Sequence, residues 1–258
     1  MPTDSPLGTV PQLVSDPIAA LAVLRADGAV RLAAEHGDDA SHAADVARRV
    51  FGAEIRALPE PAKVLDGGEM DRKQLKKGHA HPLPLHTDGF SYGDLYPDYI
   101  LLRCVRSSPL GGESFLVDGY RVLDTLVDDP ERGWVAEALQ RTAVDQTEIG
   151  MQPSISPIVQ RTPSGRLMVR RTLDEHGNGP VPSANSVNAN RDAEMIQQWT
   201  EALTAAAERA PRFRLAPGET LVVDNYRMLH GREGYADPTR MLWRVWVWTQ
   251  GALGVPDR

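Results

Sequence analysis

The apolar stretches of this 258-residue chain are short: the two longest, residues 98–105 and 241–248, run about eight residues and are interrupted by Arg103 and Arg244. A membrane-spanning helix needs about twenty consecutive apolar residues, so these runs read as strands of a water-soluble fold. Residues 99–105, 114–117, 167–171, 220–224 and 240–248 are rich in β-branched, aliphatic and aromatic side chains, as half-buried strands are. The turn chemistry of Ser107-Ser108-Pro109-Leu110-Gly111-Gly112 predicts that the first two of these strands form a hairpin.

Helices are expected around them. Asp16 before Pro17 is a capped helix start, and Ile18, Leu21 and Leu24 recur at helical spacing up to Gly28, predicting an amphipathic helix. A short strand over 29–32 and a helix over 40–51, closed by Gly52, follow. Further helices are predicted over 118–126, 130–140 and 192–209, the last with Met195, Ile196, Trp199, Leu203 and Ala206 on one face. Residues 1–13 read as an irregular arm. Segments 57–84 and 152–190 carry Pro and Gly without periodicity and are longer than passive connections usually are, so both are read as lids. With no internal repeat and no linker, residues 1–258 are expected to form a single domain.

Charge and cysteine content narrow the class of function. The formal net charge is -7 and no run of Lys or Arg exceeds two residues, which leaves a phosphate-tracking nucleic-acid surface little to build on. Cys104 is the sole cysteine, and residues 1–25 lack the basic-then-apolar order of a secretory signal, so a cytoplasmic protein is expected. A small-molecule enzyme with neither a nucleic-acid nor a membrane partner leads the field. Nothing in the sequence sets an oligomeric state.

The chemistry concentrates in a few positions. In Leu85-His86-Thr87-Asp88-Gly89, residues i and i+2 of an extended segment point to one side, so His86 and Asp88 can bind one ion together. A second imidazole, His230, follows the 220–224 strand. Two histidines and one carboxylate on one face of a metal leave three positions open, the arrangement of non-haem Fe(II) oxygen chemistry. Downstream, Arg240 and Arg244 are four residues apart and would share one strand face at a separation of roughly 13 Å. An inward Arg needs an anion, which a structural Asp or Glu or a dicarboxylate ligand would supply. His79 and His81 read as a loop leading into the motif strand, His36, His42 and His176 as surface residues, and Cys104 as an inert buried thiol. Trp246 and Trp248 share the inward parity of the arginines, with core packing their default role.

Taken together, His86-Thr87-Asp88, Pro109-Leu110-Gly111-Gly112-Glu113-Ser114, Asp224-Asn225-Tyr226-Arg227-Met228-Leu229-His230-Gly231-Arg232 and Arg240-Met241-Leu242-Trp243-Arg244 resemble the taurine dioxygenase family of Fe(II)- and 2-oxoglutarate-dependent oxygenases. The resemblance runs in order from about Gly28 to Trp248. It implies a mainly β fold with flanking helices, a double-stranded β-helix or jelly roll. By the same resemblance His86, Asp88 and His230 would be iron ligands. Arg240 would hold the distal carboxylate of 2-oxoglutarate, Ser114 would add a hydroxyl to it, and Arg244 would face the substrate. Decarboxylation of 2-oxoglutarate with O2 would then drive oxidation of a small polar substrate, an amino acid, organic acid or biosynthetic intermediate. Hydroxylation is the expected outcome, with desaturation, cyclisation and epoxidation open to the same ligands. Asp88 speaks against chlorination, because related halogenases lack that carboxylate.

Two other classes are compatible with such a fold: a metal-dependent hydrolase or isomerase, and a non-catalytic ligand-binding jelly roll. A hydrolase needs no dicarboxylate anchor, and a binding module has little use for a half-open metal site. No Gly-rich phosphate loop, Cys-x-x-Cys pair or Gly-x-Ser-x-Gly elbow is present.

Overall fold

Side-chain alternation decides how the central strand lies. In β13 (Thr220–Asp224) Leu221 and Val223 face one layer and Val222 the opposite one, as a period of two requires, and all five residues are buried. The computed structural model describes residues 7–64, 81–148, 150–173 and 179–257. In the larger sheet β13 pairs with β2 (Ala29–Leu32) and β6 (Tyr99–Arg106), and β6 in turn pairs with β15 (Met241–Thr249). The far edge of β15 carries β3 (Ile55–Ala57) and β4 (Ala62–Val64), while β1 (Gln12–Val14) extends β2 in parallel. A smaller antiparallel sheet sets β14 (Met228–Arg232) between β5 (Leu83–His86) and β7 (Ser114–Asp118).

These two sheets face each other. Ile100 and Cys104 of β6, Leu221 and Val223 of β13 and Leu242 of β15 meet Leu116 of β7 and Met228 of β14 in one apolar layer. Outside the larger sheet, helices Pro17–Asp27 and Ala40–Phe51 lay Leu24, Val46, Val50 and Phe51 on Leu101, Val222, Val245 and Val247. Outside the smaller sheet, Gly119–Val127, Gly133–Arg141 and Ala189–Arg209 cover Val117 and Leu229 with Val122, Leu139, Met195, Trp199 and Leu203. The fold is a jelly-roll sandwich with helices on both flanks. No helix among the described residues is long and apolar enough to cross a membrane.

Several sequence expectations are revised. The 99–105 and 114–117 strands form but make no hairpin: both edges of β6 are occupied, by β13 and β15, so β7 pairs with β14 in the opposite sheet. The predicted strand at 240 begins at Met241, with Arg240 in the preceding turn and a register shift between Met241 and Leu242. Ile18 is exposed, and Ala20 and Leu24 make the buried contacts of the first helix. The arm at 1–13 ends in strand β1. Within 57–84, residues 62–64 are strand β4; residues 65–80, including His79, lie outside the described residues. Segment 152–190 contains the short strands Ile155–Pro157, Val159–Arg161, Leu167–Val169 and Val181–Pro182, while 174–178, with His176, lie outside the description.

One ion-pair network ties the loop before β6 to the end of β13. Arg166 donates to Asp98 at 2.9 Å and Asp224 at 2.7 Å and lies over the rings of Tyr99 and Tyr226. Asp98 also accepts from Thr249 N at 2.8 Å and Oγ1 at 2.6 Å. Removing the cation would leave two buried carboxylates without their counter-charge. Arg166→Ala is therefore expected to lower unfolding stability by about 3 kcal/mol or more, read by urea titration, with Arg166→Lys recovering only part.

Candidate active site

Strand pairing brings the two histidines together. His230 is the cross-strand partner of His86, so their rings rise from neighbouring positions of one sheet face with centroids 4.2 Å apart. Next to His230, Gly231 leaves room for the Phe115 ring of the neighbouring strand, since a Cβ there would stand 2.3 Å from it. Asp88 follows two residues after His86, and its backbone is fixed by Asn225, which accepts from Asp88 N at 2.9 Å and donates to Asp88 O at 3.0 Å.

Asp88 Oδ1 lies 3.6 Å from His86 Nε2 and 3.7 Å from His230 Nε2. One ligand atom from each residue falls within 4.8 Å of the others. Separations beyond hydrogen-bond reach, with three donor atoms converging, suit ligands arranged around an ion better than a directly bonded triad. His86 Nδ1 is 2.9 Å from Pro84 O, a contact that places the proton on Nδ1 and leaves the Nε2 lone pair for a metal. Burial pushes the Asp88 carboxyl pKa upward, but Arg244 and the two imidazoles outweigh it and hold the group well below the usual carboxylate range. Burial, followed by the neighbouring His86, lowers the His230 pKa to about 4. An ionised carboxylate and a neutral imidazole are the forms a metal binds.

The three side chains open onto a cavity of about 270 Å³ whose lining also includes Ser114, Arg240 and Arg244. All six candidate residues therefore reach one space, with Leu102, Leu116, Leu221 and Leu242 forming apolar wall. Arg240 is 6% exposed and has no carboxylate within 4 Å among the described residues. The Gly-Gly turn brings Ser114 near it: Gly112 N donates to Gly234 O at 3.0 Å, and Gly111, at φ 73°, packs so closely on Gly234 that a Cβ would stand 2.1 Å from its carbonyl oxygen. Arg240 and Arg232 lie over the ring of Tyr235, at 5.0 and 4.6 Å. Arg244 approaches Asp88 Oδ2 at 3.3 Å through Nη1, while its buried Nε has no hydrogen-bond partner among the described residues. His81 is absent from the cavity lining.

Sequence reasoning missed two contributors. Asn225 was visible only as part of a motif, and its grip on Asp88 spans 137 positions. Trp246 was expected to be core, yet its indole N–H donates to Asp88 Oδ2 at 2.8 Å. The inward parity of Trp246 was the available signal. Cys104 is buried as expected, and burial raises its thiol pKa to about 11.

The profile of the taurine catabolism dioxygenase TauD, TfdA family matches residues 12–246. Human (Homo sapiens) gamma-butyrobetaine dioxygenase is 28% identical over 173 residues, covering 62% of this chain and 41% of the relative. The chain thus spans about two fifths of the length of the curated relatives it matches. Among solved structures, AAD-2 with Mn(II) and N-oxalylglycine superposes with a TM-score of 0.64 at 15% identity, covering 97% of this chain and 99% of that one. Asparagine oxygenase with Fe(II), 2S,3S-3-hydroxyasparagine and succinate gives a TM-score of 0.59 at 18% identity, over 89% and 78%.

Proposed function

The chain belongs to the TauD, TfdA family of dioxygenases, and from that premise we propose that it is an Fe(II)- and 2-oxoglutarate-dependent oxygenase that hydroxylates a small polar molecule carrying an anionic group, such as an amino acid or another carboxylic acid. The observation that carries this reading is the cavity shared by the His86–Asp88–His230 cluster and a buried Arg240 that has no acidic partner among the described residues. In this reading His86, Asp88 and His230 hold iron, Arg240 and Ser114 receive the distal carboxylate of 2-oxoglutarate, and Arg244 receives the substrate anion. Bound iron with 2-oxoglutarate and O2 supplies the oxidising power, leaving succinate and CO2. The protein's own part is to orient three ligands, neutralise the dicarboxylate with a guanidinium fork, and line the remaining space with leucines that exclude water beside the cationic side chains of Lys63 and Arg232.

The relatives support a small-molecule substrate: one acts on gamma-butyrobetaine, and one structural neighbour holds hydroxyasparagine. A hydrolase would leave Arg240 without an anion to bind. A single, buried cysteine, Cys104, suits a cytoplasmic setting.

Succinate release measured across amino acids, organic acids and uncharged analogues tests cofactor and substrate class together. Succinate coupled to consumption of an anionic compound is the expected result; a chain that forms none with any compound is not an oxygenase of this type. Arg244→Ala, assayed at saturating iron, is expected to keep an affinity for 2-oxoglutarate close to wild type. Its coupled product should fall while succinate formed without product rises. Loss of 2-oxoglutarate binding in that variant would reverse the assignments of the two arginines.

A further inference from the structure

The two oxygens of Asp88 have different surroundings. Oδ1 faces both imidazole Nε2 atoms, whereas Oδ2 accepts the Trp246 Nε1–H at 2.8 Å and lies 3.3 Å from Arg244 Nη1. The indole is itself held in place. The Tyr92 ring meets it edge-on with centroids 5.3 Å apart, and the Arg244 guanidinium stacks on it at 4.4 Å. A carboxylate beside a metal can bind through one oxygen or through both, and chelation by Asp88 would occupy a position that the cosubstrates need.

We propose that Trp246 is a positioning residue for the metal site: its indole N–H, backed by Arg244, engages Oδ2 so that Asp88 presents Oδ1 alone. The inference rests on reading His86, Asp88 and His230 as metal ligands. It gives Trp246 a role that neither strand propensity nor core packing requires, because a phenyl ring at this position would fill much of the same space without the donor. Hydrogen-bond partners of metal ligands typically change metal affinity by about 10- to 100-fold when lost.

The same strand supplies a matched control. Trp248 lies two residues on, is fully buried and also meets Tyr92 edge-on, at 4.9 Å, but its N–H goes to Leu95 O at 2.9 Å. Anaerobic Fe(II) affinity is measured by competition with a chelator in wild type, Trp246→Phe and Trp248→Phe, with thermal melting of each metal-free protein alongside. Trp246→Phe is expected to weaken Fe(II) binding by about 10- to 100-fold. Trp248→Phe is expected to lower the melting temperature and leave Fe(II) affinity unchanged. Trp246→His, which retains a ring N–H, should recover part of the affinity and serves as the informative variant if Trp246→Phe folds poorly. Wild-type affinity in Trp246→Phe, equal weakening in both Phe variants, or no gain from His over Phe would overturn the proposal while leaving the metal-site reading intact. A wild-type chain that binds no Fe(II) would remove both.

Discussion

His230→Ala is expected to bind Fe(II) more than about a hundredfold more weakly than the wild type, and to form no succinate at micromolar iron. The magnitude follows from the role. Losing a partner that merely orients a ligand costs up to about a hundredfold in affinity, so losing one of three ligands must exceed that. The fold should tolerate the change, because β14 is held between β5 and β7 by backbone bonds that alanine also makes, and its neighbours Leu229 and Gly231 are unaltered. His86→Ala should behave in the same way. Metal analysis after anaerobic loading and desalting, with circular dichroism to verify folding, provides the measurement. Full iron occupancy in a folded His230→Ala protein would show that the imidazole is not a ligand.

Arg240→Ala is expected to reduce the apparent affinity for 2-oxoglutarate by roughly thirtyfold or more, with iron binding in the absence of cosubstrate little changed. A charge-assisted, bidentate contact to a carboxylate contributes at least about 2 kcal/mol, and about 1.4 kcal/mol corresponds to a tenfold change in binding. Burial adds weight here, since Arg240 is 6% exposed as a residue, and a charged group so placed gains more from an anion. Arg240→Lys should regain only part, because an ammonium is a point charge and cannot reproduce the fork. Titrating 2-oxoglutarate into the iron-loaded variants checks this. Unchanged affinity in Arg240→Ala would place the dicarboxylate elsewhere in the cavity.

Much of the strand and helix content was legible because local rules suffice. Asp16 caps the first helix by accepting from Ile18 N and Ala19 N, and Gly28 ends it in the left-handed conformation, as the residue types suggested. The helix Ala40–Phe51 forms where expected and buries Ala43, Val46, Ala47 and Val50, which recur at helical spacing. Strand β14 was not legible. Its sequence Met-Leu-His-Gly-Arg has little strand preference, and it becomes a strand because β5 and β7 supply partners on both sides. The hairpin expectation failed for a related reason: turn residues reveal that the chain reverses, but not which sheet has an edge to offer.

The site divides along the same line. His86, Asp88 and His230 could be picked out because their chemistry is rare in combination, and Arg240 and Arg244 because inward arginines need an explanation. Their supports were hidden. Trp246 reaches Asp88 across 158 positions, and Arg171 donates to Leu85 O across 86, contacts that no spacing in the chain announces. Such partners appear only once the two sheets are stacked.

Anaerobic titration of the wild-type chain with Fe(II) and 2-oxoglutarate, followed by visible absorption, reports directly on whether His86, Asp88 and His230 hold iron beside the cosubstrate. One Fe(II) per chain is expected, with a weak charge-transfer band that develops only when both are present and that His230→Ala abolishes. A protein that binds no iron, or that binds it without developing any band on addition of 2-oxoglutarate, would not be an oxygenase of this type.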